Sequence, residues 1–320
     1  MTGGELAVAC FLDAAVGDPR WFPHPVRWMG FLVDRYDRRV HQLLLSPVQQ
    51  RIAGVLLAVA LPVGAYAVGV LLIWLGHSID SLWGSVIAVL IAWTTLAARD
   101  LIDHVLAVHR ALQSASLAEA RTAVAKIVGR DTEEMNESDI VRATVETVAE
   151  STADGIVAPL FYLALGGAPL ALAYKAVSTL DSMIGHLDDR YRWLGWASAR
   201  LDDAVNFLPA RVTAFLLVLS VGIVSRSWAA MRRTWKILHR DGGQHPSPNS
   251  GRPEAAMAGA LGVQLGGVSR YDGVPIERPC LGDPDQPLTR DHIGRALTLM
   301  VWTSLLGILL GMGWLFMVKG

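Results

Sequence analysis

Two apolar runs decide the fold: residues 52–75, IAGVLLAVALPVGAYAVGVLLIWL, and residues 81–98, SLWGSVIAVLIAWTTLAA. A helix needs about 20 mostly apolar residues to span a bilayer, and both runs come close to that length. Residues 76–80, which join the two runs, contain neither lysine nor arginine. The positive-inside rule therefore predicts a helical hairpin whose tip faces away from the cytoplasm.

Further apolar runs occupy residues 207–225 and 296–318, and both predict membrane helices. Residues 3–17 predict either a short membrane helix or an amphipathic helix at the interface. Residues 156–177 are apolar but contain Gly-Gly-Ala-Pro at 166–169, which predicts a broken or re-entrant span. Together these runs predict an all-α, polytopic integral membrane protein with about four to six membrane helices and cytoplasmic helical and loop regions.

The composition supports a membrane protein and excludes a nucleic-acid-binding one. Only 18% of residues are charged and the formal net charge is -1, so the chain lacks the basic footprint that nucleic acid requires. Cys10 and Cys280 lie far apart in unlike contexts, which predicts neither a disulfide framework nor a metal site. We expect one membrane-embedded catalytic domain over residues 1–320.

Four polar regions separate the apolar runs: 18–51, 99–155, 178–206 and 226–295. Arginines recur in regions 18–51, 99–155 and 226–295, and the positive-inside rule places those three in the cytoplasm. If successive spans simply alternated in direction, the acidic region 178–206 would lie outside the cytoplasm. Its charged residues are instead expected to lie beside those of the cytoplasmic regions. The number of spans therefore stays open.

An acidic repeat precedes the broken span. Arg142, Glu146, Glu150 and Asp154 recur every four residues, which on an α-helix places all four on one face. Carboxylates spaced in this way can bind Mg²⁺ together with water and a substrate phosphate. The alternative is a solvated helix face with an Arg142–Glu146 ion pair.

Further candidate groups follow along the chain. Lys175 and Asp181 lie near the end of the broken span, and Asp202 and Asp203 follow Arg200. A pair of aspartates at a membrane boundary is a candidate metal ligand or general base. The alternative for Asp203 is an N-cap of the helix that precedes Arg211.

Three loops carry candidate ligand-binding residues, and each has a simpler alternative. The first loop, with Asp18, Arg20, His24 and Arg27, can bind anions or lie at the membrane interface. The second loop, with Arg130 and Asp131, can bind phosphate through its arginine or cap a helix.

The third loop, residues 241–253, is rich in proline and glycine and can present polar atoms to a ligand or merely connect two helices. Its candidates, with the glutamate that follows it, are His245, Ser247, Asn249 and Glu254.

Six motifs in order make the chain resemble a known family. They are GDPRWFPHPVRWMG, IVGRDT, AESTADGIVAPLF, YKAVSTLDSM, SARLDDAVNFLPAR and HPSPNSGRPEAAMAGALGV. Their combination is similar to the adenosylcobinamide-phosphate synthases of cobalamin biosynthesis, the CobD/CbiB family, over almost the whole chain.

The resemblance implies an ATP- and Mg²⁺-dependent ligase. It would join adenosylcobyric acid to (R)-1-aminopropan-2-ol, or to its O-phosphate, through an amide bond. The expected catalytic residues are Glu146, Glu150, Asp154, Lys175 and Asp181. The expected Mg²⁺ ligands are Glu146, Glu150, Asp154, Asp181, Asp202 and Asp203. Substrate or nucleotide would be bound by Arg200 and by the candidates on the three loops, including Asp18, Arg20, His24, Arg27, Arg130, Asp131, His245, Ser247, Asn249 and Glu254.

The resemblance also implies partners and a location. We expect corrinoid and aminopropanol substrates, a lipid bilayer, no nucleic acid, and a multi-pass protein of the cell inner membrane whose active site faces the cytoplasm. A homo-oligomer, or association with other membrane-bound enzymes of cobamide assembly, is a further expectation. The alternatives are a noncatalytic membrane sensor similar to the AmpE proteins and a transporter, which would require inverted repeats.

Overall fold

The computed structural model describes residues 1–19, 21–43, 45–186 and 188–319. Helices account for nearly all of the regular structure within these residues. In chain order they are α1 Gly3–Val16, α2 Pro25–Gln42, α3 Pro47–Ile79, α4 Ser81–Trp93, α5 Ala98–Gln113, α6 Leu117–Val124, α7 Glu137–Ser151, a π-helix Thr152–Val157, α8 Ala158–Ile184, α9 Trp196–Ser225, α10 Trp228–Asp241, α11 Gly251–Leu261 and α12 Asp291–Lys319.

Among the described residues, five helical stretches are long and apolar enough to cross a membrane. They are Pro47–Ile79, Ser81–Gln113, Glu137–Ile184, Trp196–Ser225 and Asp291–Val318. The prediction of about four to six membrane helices is confirmed. Helix α1 is not among them, because its 14 residues extend over only about 21 Å and the hydrocarbon core is about 30 Å thick.

The predicted connector between the first two spans is much shorter than expected. Asp80 alone separates α3 from α4; it ends the first helix, and its side chain accepts a hydrogen bond from the backbone N–H of Leu82 at 2.8 Å. Gly76 and Gly84 allow this tight reversal, since a Cβ on Gly76 would lie 2.9 Å from the Gly84 nitrogen. Residues 76–79 are therefore helical.

The apolar segment after the acidic repeat is broken, as predicted. Gly167 has φ 71° and ψ −166° inside α8, and Pro169 follows it. This backbone conformation is essentially restricted to glycine, and proline cannot donate the helical hydrogen bond. The helix nevertheless resumes and continues to Ile184, beyond the predicted end at residue 177.

The chain divides into two compact units, each built from separate stretches. Unit 1 comprises Met1–Ala97, Ala158–Asn206 and Ile308–Gly320, and unit 2 comprises Ala98–Val157 and Phe207–Gly307. One catalytic domain over the whole chain stays a prediction.

The core of unit 1 lies where α2 packs on the start of α3 and the end of α8. Its buried side chains are Val33, Val40, Ala53, Leu57, Leu180, Ile184 and Leu194. Gly54 permits the close approach of the chain at Leu194, since a Cβ would lie 2.0 Å from the Leu194 carbonyl oxygen. This packing fixes α2 beside the ends of two predicted spans.

The core of unit 2 surrounds α7 and α11, which pack against each other. Most of α7 is buried, from Ile140 to Ala149, and so is almost all of α11. Small residues on α11, such as Ala255, Ala256 and Ala258, allow close packing. These two helices provide the framework of the candidate site.

A β-hairpin in unit 2 was not predicted. Strands β1 Leu265–Tyr271 and β2 Val274–Leu281 pair antiparallel, with Tyr271 opposite Val274. Asp272 and Gly273 form the turn with φ 51° and 78°. The sequence carried the signal, because Asp-Gly between β-prone residues favours a two-residue hairpin turn with positive φ at both positions.

Candidate active site

The two units contain different parts of the predicted site. Unit 1 contains Asp18, His24, Arg27, Lys175, Asp181, Arg200, Asp202 and Asp203, and unit 2 contains Arg130, Asp131, Glu146, Glu150, Asp154, His245, Ser247, Asn249 and Glu254. Arg20, a predicted substrate-binding residue, lies outside the described residues.

Three of the predicted residues in unit 2 form a partly buried cluster. Glu150 near the end of α7, His245 in the loop after α10 and Glu254 in the first turn of α11 each place one donor atom within 4.8 Å of the others. The side chains of His245 and Glu254 are only 7% and 3% exposed. His245 Nε2 and Glu254 Oε1 are 3.9 Å apart, and neither atom has a hydrogen-bond partner within the described part of the chain.

Local sequence explains how the loop brings His245 to this position. A Cβ on Gly251 would lie 2.4 Å from the His245 Cβ, so the glycine leaves room for the histidine. The Ser247 hydroxyl accepts hydrogen bonds from the backbone N–H groups of Asn249 and Ser250, at 3.3 and 3.2 Å. The loop is therefore a compact turn that ends at Ser250, three residues before the predicted end.

Burial and charge shift the protonation of this cluster in opposite directions. Burial, followed by the negative charges of Glu150 and Glu146, raises the pKa of Glu254 well above its ordinary value. Burial is also the main cause that lowers the pKa of His245. A neutral histidine therefore lies beside a carboxyl group that retains its proton more readily than usual. Such displaced pKa values are common at functional sites.

The hydrogen bond to His245 fixes its tautomer. The Ser247 backbone N–H donates to Nδ1 at 3.0 Å, so the neutral ring carries its proton on Nε2. A histidine that binds a metal through Nε2 normally donates from the other nitrogen. His245 is therefore arranged as a hydrogen-bond donor toward the two carboxyl groups, and the oxygens of Glu150 and Glu254 are the donor set that fits a divalent cation.

Glu146 has a different environment from the one its repeat predicted. Its Oε2 accepts from Arg130 Nη2 at 2.8 Å, and its Oε1 accepts from the backbone N–H of Gly266 at 2.8 Å. Both side chains of the ion pair are buried, with 7% and 4% exposed. Glu146 thus joins α7 to strand β1 of the hairpin, and both of its oxygens already accept hydrogen bonds.

Arg130 and Asp131 are likewise engaged with the hairpin. Arg130 also donates to the Ser269 hydroxyl at 3.0 Å, and Asp131 accepts from the Gly273 backbone N–H at 2.7 Å. The alternative of a local helix cap at Asp131 is wrong, because this carboxylate caps the hairpin turn. The residues around it line a cleft of about 800 Å³.

Asp154 does not continue the four-residue repeat of α7. The chain changes from α-helix to π-helix at Thr152. Hydrogen bonds in a π-helix connect residues five apart, so the α-helical spacing that grouped Asp154 with Glu146 and Glu150 ends before it. The prediction of one continuous four-residue face is wrong at this residue.

The predicted N-cap role of Asp203 is also wrong. Helix α9 begins at Trp196, so Asp202 and Asp203 lie inside it. Asp202 accepts two hydrogen bonds of 3.0 Å from the Asn206 side chain, and Asp203 lies 3.7 Å from the largely exposed Arg200. The charge of Asp203 acts on Asp181, and the charge of Asp181 acts on Asp202, so the three acids form a group within unit 1.

Lys175 lies in α8 and is half-buried. It precedes Asp181 by six residues on the same helix, so the predicted phosphate-binding cation and this acidic group belong to one unit. A metal or catalytic role for these unit 1 residues stays a prediction.

The N-terminal loop is held by its own polar residues. His24 Nε2 lies 3.2 Å from Asp18 Oδ1, and Arg27 donates to the Pro19 carbonyl at 3.1 Å. The indole N–H of Trp93 donates to the Gly17 carbonyl at 3.1 Å. These contacts order the loop against α4, and a binding role for its residues stays a prediction.

Sequence reasoning missed Arg278 of β2. Its positive charge acts on both His245 and Glu254, and its guanidinium donates to the Tyr271 hydroxyl across the hairpin. Because the hairpin was not predicted, nothing in the local sequence linked Arg278 to a loop 33 residues earlier. The Asp-Gly turn is the signal that could have found it.

Comparison with known proteins identifies similar chains. The family described as CobD/Cbib protein matches residues 6–300. The protein named "Cobalamin biosynthesis protein CobD" from Geobacter metallireducens is 46% identical over 96% of this chain and 95% of its own length. "Cobalamin biosynthesis protein CbiB" from Salmonella typhimurium is 43% identical over 95% and 94%. No solved structure matches.

Proposed function

Because the chain belongs to the CobD/CbiB family, we propose that it is a cobalamin-biosynthesis enzyme that forms an amide bond at the expense of ATP. The substrates are adenosylcobyric acid and (R)-1-aminopropan-2-ol or its O-phosphate. The observation that carries a catalytic role is the partly buried cluster of Glu150, His245 and Glu254. No observation favours the noncatalytic sensor.

The reaction requires activation of a carboxylate, because a carboxylate is a poor acyl donor. An oxygen of the substrate carboxylate attacks the terminal phosphorus of ATP, which gives an acyl phosphate and ADP. The amine nitrogen then attacks the carbonyl carbon, phosphate leaves with the electron pair of the C–O bond, and the amine loses a proton to a base. Developing negative charge on phosphate must be stabilised throughout.

The cluster provides groups for this chemistry. Glu150 and Glu254 would hold Mg²⁺, because two carboxylates and a substrate phosphate are typical ligands of this ion. The ion would neutralise phosphate charge. Glu254 Oε1 has no hydrogen-bond partner among the described residues, which supports the fit, since a cation would offset the cost of burying this oxygen.

His245 and Arg278 would act on the substrate anions. The ring proton on Nε2 makes His245 a donor at the cluster, and Arg278 brings a permanent positive charge to the same place. Glu146 and Arg130 are positioning residues, since they join α7 to the hairpin that carries Arg278.

The active site would lie on the cytoplasmic side of the inner membrane. Unit 2 contains the whole of regions 99–155 and 226–295, in which arginines recur, and the positive-inside rule assigns such regions to the cytoplasm. The variant Gly273→Cys tests this orientation with a thiol reagent that does not cross the membrane. We expect labelling in inverted membrane vesicles; labelling only in intact cells contradicts the proposed orientation.

The proposed activity is tested by mass spectrometry of a reaction with the detergent-purified protein, adenosylcobyric acid, ATP, Mg²⁺ and either amine. We expect a new corrinoid at the mass of the amide, dependent on ATP. Glu150→Gln should abolish product while the protein remains folded. Glu137→Gln, an exposed residue at the start of the same helix, is the matched control and should retain full turnover. Absence of product from folded wild-type protein with either amine contradicts the proposal.

A further inference from the structure

Helix α2 carries an exposed face that nothing in the described part of unit 1 covers. Trp28, Phe31 and Leu32 are 64%, 54% and 51% exposed, and Arg35 and Arg39 continue the same face toward the C-terminus. The spacing of three and four residues places these five side chains on one side of the helix. The opposite side is buried through Val33 and Val40.

The position of α2 relates this face to a membrane boundary. Its buried side packs on Ala53 and Leu57, in the first turns of the apolar run of α3, and on Ile184 in the last turn of α8. Both contacts lie where a candidate span ends. Helix α2 therefore packs beside the ends of the apolar segments of two candidate spans, where the hydrocarbon core would meet the headgroups.

The chemistry of the face changes along its length. Its N-terminal half is aromatic and apolar, and Trp21, just before the helix, is 80% exposed. Tryptophan is enriched at membrane interfaces. Its C-terminal half has Arg35 and Arg39, and Arg38 beside them pairs with Asp34. Arginine side chains can bury their apolar stems while the guanidinium binds phosphate.

We propose that the exposed face of α2 is an anionic-lipid site: Trp28, Phe31 and Leu32 enter the boundary between acyl chains and headgroups, and Arg35 and Arg39 bind the phosphates of phosphatidylglycerol or a similar lipid. Positive charge near an anionic surface strengthens binding about fivefold for each arginine. A second copy of this chain is a poorer occupant, because two such faces would bring the arginines together. This proposal is independent of the proposed ligase activity.

The test measures which lipid lies beside α2 in reconstituted bilayers. A bimane fluorophore is attached to Phe31→Cys in a chain that also carries Cys10→Ala and Cys280→Ser. Brominated phosphatidylglycerol and brominated phosphatidylcholine are compared as quenchers at equal mole fractions. We expect stronger quenching by brominated phosphatidylglycerol, and a relative affinity that falls about fivefold for each of Arg35→Gln and Arg39→Gln.

The matched control removes two exposed positive charges from unit 2. Lys126→Gln with Arg270→Gln should leave the lipid preference unchanged. Equal quenching by the two lipids, or a preference that survives Arg35→Gln with Arg39→Gln, overturns the proposal. Quenching of the bimane by aqueous iodide and by neither lipid also overturns it. Protection of the bimane from lipid and iodide alike overturns it too, because it indicates a protein partner.

Discussion

Arg130 donates a 2.8 Å hydrogen bond to Glu146 in an ion pair whose two side chains are almost completely buried. Both residues had been predicted to contact ligands, one a phosphate and the other Mg²⁺. Their pairing changes that interpretation, because a buried charge is stabilised here by its partner and by Ser269 and Gly266. The ion pair holds the hairpin against α7.

Removal of one partner should be strongly destabilising. Arg130→Met leaves the Glu146 charge buried without its partner, which typically costs about 3–5 kcal/mol. We expect a large fall in the melting temperature in detergent. The double variant Arg130→Met with Glu146→Leu should recover most of that loss, since no unpaired charge remains. Arg200→Gln, at the exposed 3.7 Å pair with Asp203, is the control and should change little; a single variant at Arg130 as stable as wild type would contradict the structural role.

Glu254→Gln should stabilise the protein while it abolishes turnover. The folded state raises the pKa of Glu254 above 4.5, so its contribution to stability is complete below that pH and is lost as the pH rises toward the folded pKa. Glutamine has no such loss. In the absence of divalent cations, we expect a higher melting temperature than wild type at neutral pH and a flatter profile above about pH 4.5.

The same variant tests the cation. Mg²⁺ or Mn²⁺ should raise the melting temperature of the wild-type protein, because a ligand that binds only the folded state stabilises it. The shift should be lost in Glu254→Gln and retained in Glu137→Gln. Equal shifts in all three proteins would place the cation elsewhere.

Gly167→Ala should destabilise the break in α8. Its φ of 71° with ψ −166° is unfavourable for any residue with a Cβ, by about 1–3 kcal/mol. Gly64→Ala is the matched control, because Gly64 lies inside helix α3 and no atom of the described residues lies within 4 Å of an added Cβ. We expect a lower melting temperature only for Gly167→Ala. Equal melting temperatures would indicate that the break does not depend on this glycine.

Asp241 should make the protein sensitive to acid. It accepts two 2.7 Å hydrogen bonds from Arg240 and one of 2.8 Å from the Gly282 N–H. The bonds from Arg240 are the main cause that lowers the Asp241 pKa below 3.8. This contribution is present above pH 3.8 and is lost as the pH falls through the folded pKa.

Asp241→Asn should therefore lower stability at neutral pH by about 1.5–3 kcal/mol, as expected for loss of charged hydrogen bonds, and should remove that part of the acid dependence. Thermal melts between neutral and acid pH measure both effects. Unchanged stability at neutral pH would contradict the prediction.

The spans could be predicted because the signal is local. Residues 52–75 and 81–98 are apolar over the length of a bilayer, and Gly167 with Pro169 marks a break wherever the helix lies. The hairpin also had a local signal in Asp272 and Gly273, but many residues of the two strands are exposed, so no apolar alternation distinguished them in a mostly helical chain.

The membrane helices, the broken segment and the set of polar residues follow from the sequence, because hydrophobic length and backbone restrictions are properties of neighbouring residues. Which polar residues meet depends on the packing of helices that are distant in sequence. Small side chains let α11 pack closely on α7, and this packing brings together Glu150, His245 and Glu254. Glu146 pairs with Arg130 because the hairpin packs against the same helix. One π-helical segment at Thr152 was enough to end the repeat before Asp154, and a change in helical hydrogen bonding of that kind leaves little trace in the spacing of residues.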